Sequence, residues 1–75
     1  MIEASQIKGA RAMLDWSQQT LADKSGVSLP TIKRIEANGP GRSSLDTINA
    51  IKTALEDAGV AFIPGNGGGP GVRLR

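Results

Sequence analysis

Residues 18 to 36, QQTLADKSGVSLPTIKRIE, constrain this chain more than any other stretch. Their pattern predicts two short helices joined by a sharp turn. Gln18 to Ser25 forms the first helix, with Leu21 and Ala22 facing inward. Gly26 ends it, because glycine adopts the left-handed backbone that a helix stop often needs. Val27 is an apolar residue in the turn that can pin it to a core. Ser28 is a good N-cap for the next helix, since its hydroxyl can accept an orphan backbone N–H. Pro30 falls in the first turn, where a missing N–H costs little. Ile32 and Ile35 face inward and leave Pro30, Thr31, Lys33 and Arg34 outside. That layout is a helix-turn-helix, in which the second helix enters the DNA major groove.

The rest of the chain sets limits on what surrounds this motif. Seventy-five residues make one small fold, and a chain of that size buries only about 60% of its unfolded surface. With no cysteine there is no disulfide framework and no thiolate metal site. With no histidine the commonest general base and metal ligand is missing too. No run approaches the roughly 20 apolar residues of a membrane helix. Lys8 and Arg11 interrupt the place where a signal peptide needs an apolar stretch. These features predict a soluble intracellular protein. No catalytic residues, cofactor or metal are expected, because no nucleophile and base or pair of carboxylates stands out.

Nine basic and seven acidic residues leave a formal net charge of +2, which says little alone. Their placement says more. Lys33, Arg34 and Arg42 lie on or just after the second motif helix, whereas Glu56 and Asp57 lie at the end of a later one. One positive and one negative face would follow; ordinary solvated charge is the alternative.

Before the motif, residues 3 to 14 read as a helix with Ile7, Ala10 and Leu14 as its apolar stripe. Gly9 within it costs up to about 1 kcal/mol relative to alanine, either tolerated or allowing another helix to come close. Trp16 is expected to anchor the core between the first two helices, and Ser17 to cap the second. After the motif, ANGPGRS (37 to 43) reads as a loop. Ser43 or Ser44 then caps a helix running to about Ala58, with Leu45, Ile48, Ile51 or Lys52, and Leu55 as its stripe. Asp46 suits that helix's first turn, and Gly59 ends it.

The pattern changes beyond residue 59, so the chain divides into 1–59, the helical motif domain, and a 60–75 tail. Val60 to Ile63 is β-prone, Pro64 to Gly71 is a glycine-rich turn, and Val72 to Arg75 alternates apolar and basic as a half-buried strand does. A hairpin is the simplest reading, with a disordered tail as the alternative. An isolated hairpin is marginal in water, so it must pack on the helices or on a second subunit. The glycines do not form a phosphate cradle: no P-loop lysine and no following helix accompany them.

Residues 7 to 58 resemble the Cro/CI-type helix-turn-helix of phage repressors, the XRE family. Trp16 to Glu36 carries the likeness: Gln18 opens the first motif helix, Ala22 sits at the helix crossing, and Gly26 occupies the turn. Ile32 and Ile35 fill the inward positions of the recognition helix, and Glu36 follows. The resemblance implies a mainly α fold of four to five helices, here with a possible short C-terminal β-hairpin. It implies a DNA-binding transcriptional regulator, such as a repressor, bacterial or phage-encoded, cytoplasmic and DNA-associated. Double-stranded DNA is the expected partner, bound by a homodimer on an inverted-repeat operator.

By position the resemblance also assigns residues. Ser28, Leu29, Pro30, Thr31, Lys33 and Arg34 are the candidates near bases or adjacent phosphates on helix 28–37, with Thr31 expected to meet a phosphate. Arg34 or Lys33 would bond guanine O6 and N7, and Leu29 or Pro30 would touch a thymine methyl. For Leu29 core packing is the competing role, for Lys33 solvation. Gln18, Gln19, Asn38, Arg42, Ser43 and Ser44 are the candidates for phosphate. Arg11 matches the arginine that relatives pair with the motif glutamate, so an Arg11–Glu36 ion pair is expected; phosphate contact by Arg11 is the alternative. The tail departs from relatives that dimerise through a fifth helix. Its strands are expected to replace that helix, pairing within or between subunits. A second functional reading keeps the fold but makes it a protein-interaction module, antitoxin-like or coactivator-like, with the C-terminal tail adding a strand to a partner's sheet.

Overall fold

The computed structural model describes residues 2–65 and 68–75. Four helices run in order: α1 (Ala4–Leu14), α2 (Gln18–Ser25), α3 (Leu29–Asn38) and α4 (Leu45–Asp57). Two strands follow, β1 (Val60–Ile63) and β2 (Gly71–Leu74). They pair antiparallel, with Val60 opposite Leu74 and Phe62 opposite Val72. The chain is mainly α with a short C-terminal hairpin, and that hairpin closes within the chain. Asn66 and Gly67 of the expected glycine-rich turn lie outside the described residues.

Serine–threonine pairs mark three helix starts. Ser17 accepts from the Thr20 N–H at 3.0 Å and caps α2. Ser44, rather than Ser43, accepts from the Thr47 N–H at 3.1 Å and caps α4. Ser28 holds the N-cap position of α3 but departs from the expected cap: its hydroxyl bonds the Thr31 hydroxyl at 2.8 Å instead of a backbone N–H. Pro30, within that first turn, removes one N–H in need of a partner. The stops also follow local chemistry. Gly26 ends α2 at φ 74°, and Asp15 takes the same left-handed role after α1 at φ 57°. Asparagine and aspartate tolerate that region better than most residues.

The core gathers one stripe from each helix. Ile7, Leu21, Ile32, Ile35, Ile51 and Leu55 are fully buried, and β1 adds Val60. Burying such side chains contributes about 1.5–3 kcal/mol each. Ile51, not Lys52, fills the inward position of α4. Leu45 does not belong to the stripe: it is 66% exposed, because it stands at the first position of α4, beyond the reach of the other helices. Trp16 is half-buried and packs on the core margin, as do Leu14, Val27 and Leu29.

The hairpin lies against the helices through β2 on α1 and β1 on α4. Gly9 does permit a close approach, but of a strand rather than a helix: Val72 occupies the space beside it. Gln6, one turn earlier and buried, reaches the same hairpin. Its Nε2 donates to the carbonyls of Gly71 at 3.0 Å and Ile63 at 3.4 Å, while its Oε1 accepts from the Glu3 N–H at 2.8 Å. At the far end Arg75 donates its backbone N–H to the Gly59 carbonyl at 2.7 Å and its guanidinium to the Glu56 carbonyl. A positive side chain therefore returns to the acidic C-terminal end of α4, where a cation complements the helix dipole.

Candidate nucleic-acid interface

Helix α3 has two unlike faces. Ile32, Ile35 and Glu36 are buried against the body, while Pro30, Lys33, Arg34 and Ala37 are exposed. Those four exposed positions recur at i, i+3, i+4 and i+7, so they form one stripe along the outer side. Ala37 was not among the expected contact residues, yet its spacing from Pro30 marks it as part of the stripe. Thr31 is half-buried and tied to Ser28. Leu29 is half-buried on the core, so only part of it faces outward.

The back of α3 is held by charge as well as by isoleucine. Arg11 on α1 donates from Nε to Glu36 Oε2 and from Nη2 to Glu36 Oε1, each at 2.7 Å. Two parallel bonds fix the angle between the planar groups as well as their distance. Arg11 Nη1 also donates to the Trp16 carbonyl at 2.9 Å, which ties the α1–α2 connection to the same group. Gln18 Nε2 donates to Glu36 Oε1 at 3.2 Å and brings in the start of α2. Burial pushes the Glu36 carboxyl up. The bonds from Arg11 and Gln18, with the charges of Arg11 and Lys8, outweigh that and hold it below the ordinary carboxylate range. The Glu36 bond raises the Arg11 guanidinium further, against a smaller opposing effect of burial. Both groups are thus ionised at neutral pH, and three helix segments meet at one carboxylate.

A second cluster follows α3. Arg34 Nη2 donates to Ser43 Oγ at 3.3 Å, which brings the end of the outer stripe to the α3–α4 connection. Arg42 beside it is exposed, and Ser44 opens α4. Asn38 is the last, exposed residue of α3 instead of a loop residue. Gln19 is exposed on α2 and bonds Asp23 Oδ1 at 2.9 Å. The expected residues therefore fall into an outer stripe, a cluster at the α3–α4 connection, and glutamines on α2.

Comparison with protein families decides what this arrangement is. A helix-turn-helix family model of the Cro/CI type matches residues 7–56, from inside α1 to near the end of α4. The chain belongs to the XRE family. XRE-family proteins are DNA-binding regulators, and in this one the match takes in α2, α3 and both partners of the Arg11–Glu36 pair. The hairpin of this XRE-family chain lies outside the matched residues. No curated protein matches the chain. Among the described residues of this regulator, no helix is long and apolar enough to cross a membrane.

Proposed function

We propose that this protein regulates transcription by reading the major groove with the outer stripe of α3, as a homodimer on an inverted-repeat operator. The reading rests on one observation above all. Pro30, Lys33, Arg34 and Ala37 stand exposed on a helix whose back is locked by Ile32, Ile35 and Glu36. A rigid helix with a free basic face suits a groove about 12 Å wide.

Arg34 supplies the donor pair that guanine O6 and N7 accept, and Lys33 a second cation. Pro30, Ala37 and the outer edge of Leu29 supply apolar contacts for thymine methyl groups. Ser28 and Thr31, at the start of α3, approach the groove edge. Phosphates are taken by Arg42, Ser43, Asn38 and the N-terminus of α4 at Ser44, with Gln18 and Gln19 on the other side of the motif. Free N–H groups and the helix dipole favour an anion at such a helix start. Phosphate contacts position the protein, and base contacts specify the sequence. One motif reads few base pairs, so two copies on half-sites one helical turn apart supply the needed specificity.

Selecting bound duplexes from a random library tests all of this together. The expected product is an inverted repeat with half-site centres about 10 base pairs apart. A library with no enriched motif, and no retardation of any duplex at low salt, would sink the proposal.

A further inference from the structure

Ser43 is a fixed point in the α3–α4 connection. Its N–H donates to the Pro40 carbonyl at 2.7 Å and closes a turn. Beside it, Ser44 accepts from the Thr47 N–H at 3.1 Å and anchors the start of α4. At the other end, Gly39 donates its N–H to the Ile35 carbonyl at 2.7 Å and ties the connection to α3. Ser43 itself is half-buried. Arg34 is the opposite kind of residue: exposed, with a long side chain that carries much rotamer entropy. The two meet where Arg34 Nη2 donates to Ser43 Oγ at 3.3 Å.

We infer that Ser43 is a positioning residue for base reading, setting the direction in which Arg34 presents its guanidinium to the major groove. The inference rests on the major-groove reading above and names a source of its selectivity outside α3. A guanidinium keeps further N–H groups beside the one that Ser43 accepts, so a pair remains for guanine O6 and N7. An arginine ordered before it meets DNA gives up less freedom on binding. A loose one reaches phosphates and neighbouring bases as readily, and phosphate contacts carry no sequence information. The Ser43 hydroxyl accepts from Arg34 and keeps its own O–H, which can donate to a phosphate. One oxygen thus couples the group that reads a base to the contacts that set the position of the helix.

The test compares the parent with Ser43→Ala, Ser43→Thr, Arg34→Ala and the double variant of Ser43→Ala with Arg34→Ala. Binding is measured on duplexes from the library selection that differ only at the base pair where Arg34→Ala relaxes preference. Ser43→Ala is expected to cut the preference there about fivefold, the worth of one ordinary hydrogen bond, and Ser43→Thr to keep it. In the Arg34→Ala background, Ser43→Ala should remove no further preference, because coupled residues are not additive. A hydroxyl that served phosphate alone would weaken both duplexes equally. Without DNA, 15N relaxation of Arg34 Nε should show a more mobile side chain in Ser43→Ala and a parent-like one in Ser43→Thr. Should alanine unfold the connection, Ser43→Thr against Ser43→Val repeats the comparison with and without the hydroxyl. Preference unchanged in Ser43→Ala overturns the inference. So does a rise in preference, which would mean that the bond holds Arg34 away from the groove. An equal loss in the Arg34→Ala background, or an Arg34→Ala variant that relaxes no position, overturns it as well. A parent that retards no duplex sinks the major-groove reading and the inference with it. A selective parent whose preference ignores Ser43 sinks the inference alone.

Discussion

A methyl group on Gly9 would stand 3.3 Å from Val72 Cγ2. The glycine in the middle of α1 is therefore the seat of β2. Alanine there regains up to about 1 kcal/mol of helix propensity and presses on Val72, so Gly9→Ala should change stability by less than that amount. Gly9→Leu has no room and should cost about 1–3 kcal/mol. Urea denaturation measures both, and amide exchange of β1 and β2 should speed up in the leucine variant alone. Equal stability of the two variants would contradict the packing.

The Arg11–Glu36 pair makes a second prediction. Arg11→Met leaves a buried carboxylate with Gln18 as its remaining side-chain donor, and breaking such a pair costs about 3–5 kcal/mol. Arg11 retains 20% exposure, so a destabilisation near the lower figure is expected. Replacing Glu36 by Met as well should recover much of it, since no uncompensated charge remains. Thermal melting of the two variants checks this. An unchanged melting temperature in Arg11→Met would mean that Arg11 serves some other role, such as binding phosphate.

The same carboxylate sets an acid limit. Its pKa in the fold lies below the ordinary glutamate value, which is about 4.3 in an unfolded chain. The unfolded state then binds the proton first as pH falls. The stabilisation is fully present above the unfolded value and disappears as pH drops through the folded one. Urea midpoints of the parent should decline below about pH 4.3. Glu36→Gln should start less stable at pH 7 and lack this part of the decline. Parallel curves for the two proteins would show that Glu36 is not the group responsible.

Two arginines close in the chain should fail in different ways. Arg34 lies on the outer stripe, and a good arginine–guanine pairing is worth about 1–3 kcal/mol. Arg34→Ala should therefore relax preference at one position per half-site. Arg42 lies beside the start of α4. Arg42→Ala should weaken all sequences alike and reduce the salt slope by about 0.9 for each phosphate that is no longer neutralised. Binding measured on operator and random duplexes across a salt series separates them. An equal weakening on both duplexes for Arg34→Ala would remove it from base reading.

Much of the fold was written in residues a few places apart. Gln18 to Gly26 bounds α2 as observed. The cap at Ser17 and the stripes of Ile7 with Ala10 and of Ile32 with Ile35 needed only spacings of three or four residues, because helix periodicity and end chemistry act over one turn; between Ser43 and Ser44 the structure chose Ser44 as the cap of α4. The outer stripe of α3 was legible for the same reason: whatever does not face the core on an amphipathic helix faces away. What depended on distant parts of the chain was not legible. Leu45 continues the stripe of α4 by spacing, yet no neighbour covers it. The hydroxyl of Ser28 had two partners within reach, and geometry selected Thr31. Gln6 gave no signal of its own, because its bonds run to carbonyls 57 and 65 residues further on. Local chemistry thus determined which segments are helices and which side of α3 is free. Only tertiary packing decided that the hairpin closes on α1 and α4, since that depends on the gap at Gly9 and two carbonyls meeting one buried amide.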